Sequence, residues 1–147
     1  MRNKGASTVR ADILLVEDDD GHAELVARSF EDVGVDVVLR RVGDGESALA
    51  LLESAARGDA KLPSLVLLDL RLPKMDGLTL LGHMKAHAVL RRVPVVVLTT
   101  SKARADLRGA YDRHVNSYLV KPLELARLTG LLADVARYWG LRNWLPT

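Results

Sequence analysis

The feature that most constrains this chain is a fivefold alternation of two patterns. Short apolar runs rich in valine and leucine, "DILLV" (12–16), "DVVLRR" (36–41), "SLVLLD" (64–69), "VPVVVLT" (93–99) and "SYLV" (117–120), read as strands. Runs that are apolar on both faces suit the inside of a parallel sheet. Between them lie helical stretches. "GHAELVARSFEDVG" puts Ala23, Val26, Ala27 and Phe30 on one face and stops at Gly34. "DGESALALLESAARG" runs from an Asp44 cap to Gly58, and "DGLTLLGHMKAH" starts after Asp76 and Gly77. "KARADLRGAYDRHV" carries Gly109 inside it. "LELARLTGLLADVARYW" aligns Leu125, Leu128, Leu132, Val135 and Trp139. Five βα units imply an α/β fold, doubly wound, with helices on both faces of a parallel sheet.

At 147 residues the chain suits one domain. We expect a loose N-terminal arm over 1–11, the domain over 12–138, and a tail over 139–147 with no output domain attached. Lys plus Arg is 21 against 19 for Asp plus Glu, a net charge of +2, too small to argue for nucleic acid or an anionic membrane. With no cysteine there is no disulfide or thiolate chemistry. "MRNKGASTVRA" lacks the apolar core of a secretory signal, and no apolar stretch approaches the ~20 residues of a membrane span. The cytoplasm is the expected location.

In doubly wound sheets ligands bind beyond the carboxyl ends of the strands. The first strand runs into "EDDDG", the third ends in Asp69, the fourth in Thr99, Thr100 and Ser101, and the fifth in Lys121 before Pro122. Glu17, Asp18 and Asp69, a hydroxyl and an ammonium therefore meet on one rim. A bound cation explains why the acids tolerate each other, and hard oxygen ligands at an open site suit Mg²⁺ better than zinc. One acid beside such an ion can attack phosphorus and form an acyl-phosphate. The metal, Lys121 and Thr99 would then share the charge on the phosphoryl oxygens.

"LLVEDD", "LVLLDLRLPKMDG", "VPVVVLTTS" and "YLVKP" together resemble the receiver domains of two-component response regulators, over residues 12 to 138. The resemblance implies a (βα)5 flavodoxin-like, CheY-like fold with strand order 2-1-3-4-5. It implies phosphorylation of Asp69 by a sensor histidine kinase, with Mg²⁺ held by Asp18 directly, Glu17 through water, Asp69 and the backbone carbonyl of Arg71. It makes Thr99 the switch hydroxyl, Lys121 the phosphate-pairing lysine and Tyr118 the aromatic that turns inward on activation. It also suggests a cis Lys121–Pro122 bond. Self-phosphorylation and autodephosphorylation on Asp69 are then the only chemistry expected; the chain is not otherwise an enzyme. "VPVVVLTTSKA", "YDRHVNSYLVKP" and "YWGLRNWLP" carry a narrower resemblance, to the single-domain regulators that partner bacterial phytochrome-type histidine kinases. Arg71 and Ser101 flank the acceptor and the switch hydroxyl, at positions that tune phosphate lifetime in the family.

The remaining features have plainer readings. Asp20 is expected to cap the first helix, leaving Asp19 a solvated neighbour. His83 and His87 sit one helical turn apart but lack a third ligand. Tyr138, Leu141 and Trp144 either fold back on the domain or form a dimer contact. Arg104, Arg108, Arg113 and Arg127, near acids on the last two helices, favour a homodimer. "SAARGDAKLPS" reads as a surface insertion that contacts a partner. Two competing functions remain: "DDDGH" resembles the start of haloacid-dehalogenase-type phosphatases, with Asp18 as nucleophile, and a non-phosphorylated, receiver-like binding module is the other.

Overall fold

Each apolar run becomes a strand and each helical stretch a helix in the computed structural model, which describes residues 11–144. The order is β1 (Ala11–Val16), α1 (Asp20–Val33), β2 (Val37–Val42), α2 (Gly45–Ala56), β3 (Leu65–Leu68), α3 (Gly77–Ala86), a 3-10 turn (Leu90–Arg92), β4 (Val95–Thr99), α4 (Arg104–Asp112), β5 (Ser117–Val120) and α5 (Leu125–Arg137). All strand pairs are parallel, in the order β2-β1-β3-β4-β5. The chain winds one way from β1 to β2 and the other way from β3 onward. The switch point therefore lies between the ends of β1 and β3.

The doubly apolar strands are explained by two cores. Leu14, Val16, Val66, Leu68, Val95 and Val97 face one side and pack with Leu52, Leu80, Leu81, Met84 and Ala110 of α2, α3 and α4. Ile13, Leu15, Leu65, Leu67, Val96 and Leu98 face the other and pack with Val26, Phe30, Leu128, Leu132 and Val135 of α1 and α5. Successive strand residues point to opposite faces, so both sets must be apolar. A fully buried leucine of this kind contributes about 1.5–3 kcal/mol.

Asp44 and Asp76 cap α2 and α3, accepting from Ser47 N at 2.7 Å and Thr79 N at 2.9 Å. Gly34 ends α1 with φ +80°, a conformation that a side chain would strain. Several expectations need correction. In α1 Ala27 is only half-buried and Ser29 is buried, its hydroxyl satisfied by donating to the Leu25 carbonyl at 2.8 Å. β4 starts at Val95, since Pro94 has no N–H for the ladder. α4 is shorter than its 102–115 pattern. Leu125 opens α5 on its exposed side, leaving Leu128, Leu132 and Val135 as the buried stripe with Trp139 half-buried beside them. The Lys121–Pro122 bond is trans.

Residues 54–64 do not reach the site rim. Lys61 lies 3.8 Å from Asp12 at the start of β1, and its carbonyl accepts from Arg40, so the insertion closes the opposite end of the sheet. The expected arm falls outside the described residues apart from Ala11, which belongs to β1. After α5 the chain continues as one π turn (Tyr138–Arg142), with Gly140 against Val35, where a Cβ would lie 2.4 Å from a valine methyl. Among the described residues no helix is long and apolar enough to cross a membrane.

Candidate functional site

The rim at the carboxyl ends of β1, β3, β4 and β5 collects the expected residues. The ladder extends past the strands to hold them: Glu17 N donates to Val42 O at 3.0 Å, Asp69 N to Val16 O at 3.0 Å and Lys121 N to Thr99 O at 2.7 Å. Backbone pairing thus fixes the main chain at Glu17, Asp69 and Lys121 independently of their side-chain contacts.

Glu17, Asp69, Thr99 and Lys121 are all buried, whereas Asp18 is exposed. Lys121 Nζ donates to Glu17 Oε1 and, at 3.2 Å, to Asp69 Oδ2. One ammonium thus answers two buried carboxylates. Burial pushes the Glu17 carboxyl up to about 7; the hydrogen bond and charge of Lys121 oppose that rise, while the Asp69 charge adds to it. Oxygens of Glu17, Asp18 and Asp69 lie within 4.8 Å of one another, the one such cluster among the described residues. The set is all hard oxygen, open to solvent through Asp18, and carries more negative charge than Lys121 neutralises. It fits a divalent cation such as Mg²⁺ or Mn²⁺ and lacks the nitrogen and sulfur donors that zinc prefers. Asp69 Oδ1 accepts from Arg71 N at 3.1 Å, which sets the backbone at 71 beside the carboxylate.

Thr99 and Tyr118 are near but engaged elsewhere. The Thr99 hydroxyl accepts from Ser101 N at 3.3 Å and does not bond Asp69. Tyr118, half-buried, donates to Ser101 O at 3.0 Å, and burial raises its phenol above the usual range. Ser101 also donates to Asp106 Oδ2 at 2.5 Å, and Arg71 Nη2 bonds the same oxygen at 2.7 Å. The two flanking positions, 71 and 101, are therefore joined through the first turn of α4.

The acid run divides differently from expectation. Asp19, not Asp20, caps α1, accepting from His22 N at 2.9 Å; that bond lowers the Asp19 carboxyl below its usual range. The helix starts one residue earlier than the Gly21 signal suggested. Asp20 pairs with Arg41 at 2.6 Å, and Arg41 also holds the Glu17 carbonyl at 2.9 Å. His83 and His87 join no ligand cluster. His87 Nδ1 instead accepts from Val89 N and Leu90 N, closing the turn after α3.

Two residues at the site went unassigned in the sequence. His22 Nδ1 lies 3.0 Å from Lys121 Nζ, and Asp106 ties Arg71 to Ser101. The place of His22 in the first turn after the acid run was the available signal. Asp106 had none, since only the fold brings it to the rim.

A family model described as "Response regulator receiver domain" matches residues 13–133. The chain is 48% identical over 127 residues to the probable methanogenesis regulatory protein FilR2 of Methanothrix harundinacea, covering 86% of this chain and 82% of that protein. It is 38% identical over 128 residues to response regulator Rcp1 of Synechocystis sp., covering 86% and 87%. The crystal structure of Mn²⁺-bound Rcp1 superposes with a TM-score of 0.88 at 37% identity, over 93% of this chain and 99% of that one. Phosphorylated RcpA, a cyanobacterial phytochrome response regulator, also gives 0.88, at 35% identity over 95% and 100%. The phosphatase alternative with Asp18 as nucleophile finds no support, since the matched family is the receiver's. Converging carboxylates, a buried lysine and a CheY-like (βα)5 sheet accompany this match, and the chain belongs to the response regulator receiver domains, signalling proteins that bind a divalent metal.

Proposed function

We propose that Asp69 is the phosphoacceptor of a histidine kinase relay, and that Mg²⁺ sits against Glu17, Asp18, Asp69 and the Arg71 carbonyl. The observation that carries this is the Lys121 ammonium, buried between Asp69 and Glu17 beside an otherwise repulsive carboxylate cluster. Bound Mg²⁺ would neutralise phosphoryl oxygens. An Asp69 oxygen forms the new bond to phosphorus as the bond from phosphorus to the kinase histidine breaks, and that imidazole leaves with the electron pair. Lys121 is placed to pair one phosphoryl oxygen, and Thr99 to turn from Ser101 toward another. Tyr118, bonded to the Ser101 carbonyl, would carry that turn to β5 and α4. Hydrolysis of the acyl-phosphate resets the switch.

The likeness to RcpA supports a phytochrome-type kinase as donor. Output through a homodimer is supported by exposed Tyr138, Leu141 and Trp144 after α5, the last 96% exposed, and by exposed Leu107 and Tyr111 on α4, Leu123 just before α5 and Leu125 at its start. A balance of +2 gives no charge for nucleic acid binding, and a cytoplasmic site of action follows from a kinase donor.

Acetyl phosphate with Mg²⁺, followed by mapping of the modified residue, tests the acceptor. Label on Asp69 that disappears in Asp69→Asn is expected; label elsewhere overturns the assignment. Phosphotransfer from a phytochrome kinase should outpace that from an unrelated kinase. Sedimentation of Trp144→Ala against the parent chain tests the dimer, which fails if neither changes association state on phosphorylation.

A further inference from the structure

The Lys121 ammonium has three N–H donors and no acceptor, and its side chain is 2% exposed. Its partners are Glu17, Asp69 and His22 Nδ1 at 3.0 Å. Because a lysine ammonium can only donate, His22 accepts at Nδ1 and carries its ring proton on Nε2. The three partners differ in kind. Glu17 and Asp69 belong to the carboxylate cluster, so a divalent cation competes with Lys121 for their oxygens. His22 is outside that cluster. Its main chain is anchored at the start of α1, because the His22 backbone N–H donates to the Asp19 cap at 2.9 Å.

We propose that His22 is a positioning residue for Lys121: the imidazole holds the ammonium at the rim when metal and phosphoryl group take over the carboxylates. The inference rests on Asp69 and Lys121 having the roles proposed above. Without His22 the ammonium, released by Glu17 and Asp69, has no other partner among the described residues from which to address a phosphoryl oxygen. A hydrogen bond to a charged group of this kind is of the size that changes binding severalfold.

The test has two arms. In Mg²⁺-loaded protein, where the cation engages the carboxylates, ¹⁵N NMR of the lysine ammonium should show a slowly exchanging Lys121 signal that broadens away in His22→Ala and returns in His22→Asn, whose side-chain oxygen can replace Nδ1. With Mg²⁺, affinity for beryllofluoride should fall about five- to tenfold in His22→Ala and recover in His22→Asn, with Mg²⁺ affinity alone unchanged. Turnover with acetyl phosphate should show the loss in KM more than in kcat. Equal beryllofluoride affinity in parent and His22→Ala overturns the proposal. So does equal impairment of the alanine and asparagine variants. If the parent chain itself binds no beryllofluoride, the phosphoacceptor reading fails instead, and the ammonium signal with Mg²⁺ alone still decides whether His22 holds Lys121.

Discussion

Lys121 Nζ lies 3.2 Å from Asp69 Oδ2, with the two side chains 2% and 9% exposed. A buried ion pair is weak evidence for stability in itself, but breaking one side of it is costly because the stranded charge stays buried. Lys121→Ala should therefore destabilise the metal-free protein by about 3 kcal/mol. The same substitution removes the ammonium that competes for the carboxylates, so it should tighten divalent metal binding. Urea midpoints measured with chelator and with excess Mg²⁺ check both. Equal midpoints of variant and parent in chelator would show that the pair contributes nothing.

Glu17 gives a pH dependence of defined sign. Its carboxyl is pushed from the ordinary 4.5 up to about 7 in the folded chain, chiefly because it is buried. Between these values the folded state holds a proton that the unfolded state has released, so this group makes stability fall as pH rises from about 5 to about 7. Below that window both states are protonated, and above it both are ionised. A divalent cation needs the carboxylate, so metal affinity should rise over the same window and binding near pH 6 should release a proton. Calorimetric titration in buffers of different ionisation enthalpy counts that proton. Glu17→Gln should abolish the release; proton release unchanged in that variant would assign it to another group.

How much of this was legible in the sequence depends on what set each position. The strands and the rim residues Glu17, Asp69, Thr99 and Lys121 were readable because each lies at the end of an apolar run, where chain direction alone determines the rim. The cap was misassigned by one residue because Asp19 and Asp20 are chemically equivalent, and only the backbone turn shows that Asp19 reaches His22 N. Leu125 was misplaced because helical spacing puts it on the stripe of Leu128, Leu132 and Val135, while as the first residue of α5 it is 62% exposed. The contacts His22–Lys121 and Arg71–Asp106 join segments far apart in sequence, and periodicity carries no information about such pairs.

Gly77 connects packing to chemistry. A Cβ there would lie 2.5 Å from the Asp69 carbonyl oxygen and 2.6 Å from Leu70 Cα, both backbone atoms that cannot swing aside. Gly77 N also donates to Leu70 O at 2.9 Å, so α3 starts against the segment that carries the acceptor. Gly77→Ala should cost about 1–3 kcal/mol through overpacking and should weaken metal binding by displacing Asp69. Thermal denaturation and Mg²⁺ titration measure the two effects. A variant as stable as the parent, with unchanged Mg²⁺ affinity, would mean that the backbone yields without cost.

The first turn of α4 has no side-chain cap: Ala103 occupies the cap position. Its anchorage comes from outside the helix. Ser101 Oγ accepts from Ala103 N at 3.3 Å, and Asp106 holds Ser101 and Arg71 together. The Arg71 side chain is 65% exposed, so its ion pair alone contributes little to global stability, about 0.5 kcal/mol. The local effect should be larger, because Asp106 is the shared acceptor of the network. Asp106→Ala should speed amide exchange in residues 103–108 severalfold while leaving α1 and α5 protected and the global melting temperature nearly unchanged. Hydrogen exchange followed by mass spectrometry resolves those segments. Faster exchange across the whole chain would show a general loss of stability, and no change in α4 would show that the network does not hold its first turn.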